Sequence, residues 1–249
     1  MSVDKKTVMQ KLQHVSEIYM ILSNYTRMPF VMCDPETFED EILVYFEKQD
    51  ADVRAKELTD SGNPTAVTRI ENKAFLSIYA GLYPMGIDCI CVDQGKDSET
   101  HVHLEELVRR QDQKTLPNGQ MIIENPALHL TALYFMQEFR KKERTELTEE
   151  LQEMQEELLA HYSKGTFLVA LKADGKGIVI IKNKQGMPLL PIFTDMPEFH
   201  KFQLANPKEK FGTGMIKAEK VVSVLPPDAA AVILNPMTAN IPLNVQRRA

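Results

Sequence analysis

One order of secondary structure occurs twice along this chain, and that repeat limits the folds open to it more than any other feature. In the first half, Phe30 to Cys33 and Ile42 to Phe46 are short β-rich runs on either side of the turn cluster Asp34-Pro35-Glu36. A helical pattern over Ala51 to Leu58, a strand over Thr65 to Ile70, a helix over Lys73 to Leu82 and a strand over Cys89 to Val92 follow. After residue 165 the order returns. Phe167 to Leu171 and Leu189 to Phe193 stand for the two strands, Met196 to Leu204 is helical, and Met215 to Ala218, Val221 to Leu225 and Val232 to Asn235 complete the copy. In each copy a proline turn precedes the last strand, "LYPMG" at Pro84 and "LPPDA" at Pro226. Setting Pro84 on Pro226 puts Val92 on Leu234 and Asp93 on Asn235. The expected fold class is α/β in the mixed α+β sense: two related lobes, each a mixed sheet flanked by helices. A chain of 249 residues has room for both.

Two further segments carry helical patterns. Val8, Leu12, Val15, Ile18, Tyr19 and Leu22 recur mostly at steps of three and four, which predicts an amphipathic helix over Thr7 to Asn24. Leu128 to Tyr162 contains neither Gly nor Pro, and there Leu147, Leu151, Met154 and Leu158 form a narrow apolar seam among glutamates. Arg140, Lys141, Lys142 and Arg144 suit a helix end and the glutamates after Thr145 suit a new start. Those effects are worth about 0.3–1 kcal/mol each, and with no breaker residue the expectation is one continuous helix. The boundaries are then 1–26 for an N-terminal helix, 27–126 for the first lobe, 127–164 for a charged connecting helix and 165–249 for the second lobe. The seam is expected to pack within its own chain; the alternative is an oligomer held through Leu147, Leu151, Met154 and Leu158.

Charge and composition exclude several classes of partner. Twenty-nine basic residues against 35 acidic ones leave a formal charge of −6, so no overall positive field exists to draw a nucleic-acid backbone. No apolar run approaches the roughly 18 residues of a membrane span. The N-terminus lacks the apolar core and small-residue cleavage site of a signal peptide, and three cysteines are too few and odd in number for a framework of bridges. A cytoplasmic protein is expected.

The run "PLLPIFTDMPEFHKF" at Pro188 to Phe202, followed by "AAVILNPMTANIPL" at Ala230 to Leu243, resembles the enhanced-serine-sensitivity family, the SseB-like N-terminal domain. In that family a strand ends in Phe-Thr before a short helix and a later strand ends in Asn-Pro; here the matching positions are Phe193-Thr194 and Asn235-Pro236. The first half resembles a degenerate copy, with Phe46-Glu47 for Phe-Thr and Asp93-Gln94 for Asn-Pro. The resemblance implies a cytoplasmic bacterial protein of α and β lobes and brings no catalytic residue with it. Physically, Thr194-Asp195 reads as a helix cap and Asn235-Pro236 as a turn. If the protein works by binding, Phe193, Thr194, Asp195, Asn235 and Pro236 are its candidate binding residues.

One constellation has the residue types of a metal or thiol centre. A hairpin centred on Lys96 would set Cys89 opposite His103 and Cys91 opposite His101 on one face. Against a four-ligand Zn²⁺ site, i and i+2 side chains on a strand stand about 7 Å apart, while the ligands must converge within roughly 2.0–2.3 Å of one ion. Half-buried cysteines beside partly exposed histidines are the expected outcome. Phe211-Gly212-Thr213-Gly214 lacks the ending of a phosphate loop, the adjacent acids Asp40 and Glu41 read as solvated charge, and Arg109, Arg110 and Lys114 read as a basic patch. The sequence predicts a non-catalytic protein without a cofactor that binds a protein or small molecule. Two other classes remain open: an enzyme using Cys89, Cys91, His101 and His103, and a structural protein self-associating through the seam.

Overall fold

The computed structural model describes residues 4–110, 121–142, 146–175, 177–226, 229 and 231–245. The chain falls into two compact units, Met1–Leu116 with Gln137–Thr145, and Pro117–Met136 with Glu146–Ala249. Each is a six-stranded mixed sheet with helices on both faces.

The first unit opens with α1 (Lys5–His14), capped by Asp4, and β1 (Glu17–Ser23). The helix predicted over Thr7 to Asn24 therefore stops ten residues early. After His14 the chain carries Ile18 to Leu22, five apolar residues in a row, and β1 lies between two neighbouring strands where both faces of such a run find apolar cover. Then come β2 (Val31–Cys33), β3 (Asp40–Tyr45), α2 (Lys48–Asp60), β4 (Thr65–Glu71), α3 (Phe75–Leu82), β5 (Cys89–Val92), β6 (Thr100–His103) and the single turn α4 (Leu104–Leu107). The sheet order is β4-β1-β3-β5-β6, with β2 paired to β3. Among the described strands of this sheet only β3 and β5 run parallel. Leu43, Tyr45 and Cys91 on one face pack under Ala51, Ala55 and Leu58 of α2.

The two central helices are separate. α5 spans Pro126–Phe139 and α6 spans Glu149–Lys164, where the Thr148 hydroxyl accepts from the Leu151 N–H. The expectation of one continuous helix is overturned: a capping threonine and two first-turn glutamates start the new helix without Gly or Pro. Gln137 near the end of α5 closes the open edge of β2, its Oε1 accepting from the Val31 N–H and its Nε2 donating to the Val31 carbonyl. A backbone edge that would otherwise invite another strand is thereby occupied.

The second unit continues with β7 (Thr166–Leu171), β8 (Ile181–Lys182), β9 (Pro188–Phe193), α7 (Met196–Ala205), β10 (Gly212–Lys217), α8 (Ala218–Val224), β11 (Ala231–Leu234) and β12 (Ile241–Asn244). Its order, β10-β7-β9-β11-β12 with β8 on β9, reproduces the first sheet strand for strand. The equivalences correct the sequence alignment in two ways. Phe167 to Leu171 is the counterpart of β1, not of Phe30 to Cys33, and α6 therefore stands where α1 stands. The N-terminal helix and the second half of the expected connector are thus the opening helices of two repeats. The shared register of β3 on β5 and of β9 on β11 also sets Val44 on Ile192, so Phe46-Glu47 answers to Thr194-Asp195, one residue off the Phe-Thr match. The alignment of Asp93 with Asn235 stands. Both have left-handed backbone, φ 54° and 46°, which Asp and Asn tolerate better than most side chains. Both N–H groups bond to the matching carbonyls of Val44 and Ile192.

Leu151 and Leu158 are buried in the second unit's core and Leu147 and Met154 pack against it. The seam is used inside its own lobe. Gly212, Thr213 and Gly214 are the first residues of strand β10, paired to β7, and Lys114 and Arg144 lie outside the described residues.

Candidate functional site

The β5–β6 hairpin has the predicted register, Cys89 opposite His103 and Cys91 opposite His101. What the sequence reading missed is the neighbour on the other side. The parallel pairing of β3 with β5 brings Glu39 and Glu41 onto the same face, and the four-residue set divides into two triads, Glu41–Cys91–His101 and Glu39–Cys89–His103. Within each, one ligand atom per residue lies within 4.8 Å of the others. The four Cys and His side chains do not converge on one point, for the strand-spacing reason given above.

Glu41 is the unexpected member. Read as solvated charge, it is 0% exposed, because the strand that carries it is central in the sheet. Its Oε2 is 2.8 Å from His101 Nδ1, and its Oε1 is buried without a hydrogen-bond partner. Burial pushes the Glu41 carboxyl up, against the pull of His101. Burial works to lower the His101 pKa, but the hydrogen bond and charge of Glu41 outweigh it, and the net shift is upward. Both cysteines are buried thiols. Burial, then the negative charge of Glu41, pushes Cys89 up to about 12 and Cys91 higher still. Neither is an activated nucleophile in this state.

His101 forms part of the wall of a cleft of about 590 Å³, bounded also by the first turns of α2 and the β5–β6 turn. Its charged lining is mostly acidic. Lys96 is paired with Asp50, and Arg54 bonds to Gln94 at 2.9 Å and to Glu57 at 3.0 Å, while Asp34, Glu36 and Glu99 add further negative charge. The N–H groups of Thr37 and Glu36, 2.7 and 2.8 Å from Asp34 Oδ1, hold that carboxyl below its usual range, so it stays ionised. The field at the cleft favours a cation.

The second lobe fills the same places differently. By the shared strand registers, Leu189 stands for Glu41, Ala231 for Cys89, Ile233 for Cys91 and Pro242 for His101. Leu189, Ala231 and Ile233 form a small apolar cluster with Ile181.

The predicted binding residues of the second lobe lie inside it. Phe193, Thr194, Asp195 and Asn235 are all buried, and Pro236 is half-buried. Asp195 caps α7 through Oδ1 to the Glu198 N–H (2.9 Å), while its Oδ2 takes the Thr194 hydroxyl (2.6 Å) and meets His129 Nδ1 (2.9 Å). Asn235 Oδ1 accepts from the Thr194 N–H at 3.0 Å, and Thr238 donates to Glu198. Burial alone would raise the Asp195 carboxyl, but His129, Thr194 and the Glu198 N–H together bring it below the usual range. The cap and turn roles read from sequence are what the structure contains; a docking surface at these residues is not. His129, Glu198 and Thr238 were not legible beforehand, since only the fold brings α5 against α7.

No helix among the described residues is long and apolar enough to cross a membrane. No family model and no curated protein matches the chain. Among solved structures, Tic22 from Plasmodium falciparum aligns over 89% of this chain and 87% of its own, with 14% identity and a TM-score of 0.23. Anabaena Tic22 (protein transport) aligns over 89% and 85%, with 14% identity and a TM-score of 0.22. Superpositions of that quality assign neither fold nor activity.

Proposed function

We propose that this is a non-catalytic, cytoplasmic, two-lobed bacterial protein of the SseB-like kind that works by binding, and that the first-lobe cleft beside His101 receives a small positively charged molecule or the basic side chain of a peptide. The observation that carries this reading is the contrast at one set of sheet positions. The second lobe closes that face with Leu189, Ala231 and Ile233, so the fold does not need Glu41, Cys91 and His101 there. A buried carboxylate with an unpartnered oxygen is costly, and the His101 that it bonds forms part of the wall of an acidic cleft. A thiol-dependent reaction is the weaker reading, because burial keeps both sulfurs protonated.

Native mass spectrometry of the protein purified gently from its own cells, beside a variant carrying Asp34→Asn and Glu99→Gln, tests this reading. An adduct on the wild type that is reduced at least fivefold on the variant is expected. A bare 28.3 kDa chain, or an adduct equal on both, would overturn it.

A further inference from the structure

The geometry points to a binding site for one divalent transition-metal cation, Zn²⁺ by its donor set, held by Glu41, Cys91 and His101, the last of which also lines the cleft. This deepens the reading of the cleft as a binding site and rests on it. Carboxylate oxygen, thiolate sulfur and imidazole nitrogen are the ligand types Zn²⁺ takes, and three protein ligands with an open position is one of its common arrangements. Tetrahedral bonds of about 2.0–2.3 Å place ligand atoms roughly 3.2–3.8 Å apart. The three here already lie within 4.8 Å of one another, about 1 Å beyond that spacing.

Charge supports the same assignment. Glu41 is fully buried and its Oε1 has no hydrogen-bond partner. A carboxylate and a thiolate neutralise a divalent cation, leaving a buried centre with no net charge, whereas the metal-free face leaves a carboxyl half satisfied. Binding releases the Cys91 proton to solvent and replaces the Glu41–His101 hydrogen bond by two bonds to the ion. Of the two triads this one is favoured. Glu39 and His103 are 3.4 Å apart and partly exposed, whereas Glu41 and Cys91 are fully buried.

The test uses the full chain, stripped with a chelator and titrated with Zn²⁺ against a chromophoric competitor, then with Co²⁺ to read thiolate-to-metal charge transfer. One ion per chain is expected, with a thiolate band. Cys91→Ser and Glu41→Leu should each weaken binding at least tenfold, and Cys89→Ser by less than threefold. Glu41→Leu installs the residue of the matching second-lobe position, so it keeps the fold, and a melting temperature at or above wild type confirms that. The proposal is overturned by absence of a stoichiometric ion, by Co²⁺ binding without a thiolate band, or by a loss that follows Cys89 instead of Cys91. If Zn²⁺ fails while the cleft-dependent adduct in native mass spectrometry persists, the metal site falls and the binding function stands.

Discussion

The two lobes share one topology and differ in where they bury polarity. The first places Glu41, Cys91 and His101 on the face beside a cleft, and leaves Glu47, at the cap position of α2, without a side-chain bond to the helix. The second makes that face apolar and concentrates its polar groups in a buried network of Asp195, His129, Thr194, Glu198 and Asn235 that joins α5, α7 and β9, with His129 Nε2 left without a hydrogen-bond partner. A duplicated fold tolerates either choice, because the strands and their registers are fixed by the apolar residues on the other face, Ile42, Val44, Ile90 and Val92 in one lobe and Leu190, Ile192, Val232 and Leu234 in the other. The difference lies in access: the first set reaches a cleft through His101, whereas the second is buried throughout.

The largest effect should come from opening the buried network of the second lobe. Asp195→Ala removes a helix cap and leaves His129 without its carboxylate, a combination worth about 3–5 kcal/mol, read as a shift in urea unfolding. At the matching position of the first lobe, Glu47→Ala should cost less than about 0.5 kcal/mol, since an exposed side chain that caps nothing is being removed. Equal losses would break the distinction between the lobes.

Exchanging the faces comes next. In metal-free protein Glu41→Leu should stabilise by no more than about 1 kcal/mol, because a buried carboxyl with an unpartnered oxygen is removed while the His101 left behind is partly exposed and regains water. The reverse exchange, Leu189→Glu, should destabilise by a similar or larger amount. Thermal unfolding of both variants checks the pair, and a destabilised Glu41→Leu would mean that the carboxyl belongs to the scaffold.

The smallest effect is a pH dependence. The folded-state pKa of Asp195 is lowered by His129, Thr194 and the Glu198 N–H against the opposing effect of burial. Its contribution is present above the unfolded carboxyl value of about 3.9 and is lost as pH falls through the lowered folded value. Acid unfolding of the wild type should therefore be steeper below about pH 4 than that of Asp195→Asn, as followed by circular dichroism. Parallel acid limbs would remove Asp195 from the account.

Much of the architecture was legible in sequence because it depends on local pattern. The strands over Cys89 to Val92 and Val232 to Asn235, the helix after Asp195 and the equivalence of Asp93 with Asn235 all follow from apolar runs and turn residues. Two boundaries were not. Ile18 to Leu22 satisfies a helical period and a buried strand equally well until its neighbours in the sheet are known, and Thr148 starts a helix with a cap that a search for Gly and Pro passes over. At the site, the Cys–His pairing could be computed from a hairpin centre, being local. Glu41 could not, because it reaches Cys91 and His101 through a parallel pairing between strands separated by two helices. The alignment of the copies by sequence offered no signal either, since it set Ile42 on Leu189, one residue off the register in the sheets.

The measurement that tests the central claim most directly is anomalous diffraction at the zinc edge from crystals of the full chain grown with Zn²⁺. The account predicts a peak within bonding distance of Glu41, Cys91 and His101, and none beside Leu189, Ile233 and Pro242 in the second lobe. A peak on Cys89 and His103 instead, or an unoccupied first-lobe face at saturating Zn²⁺, would contradict it.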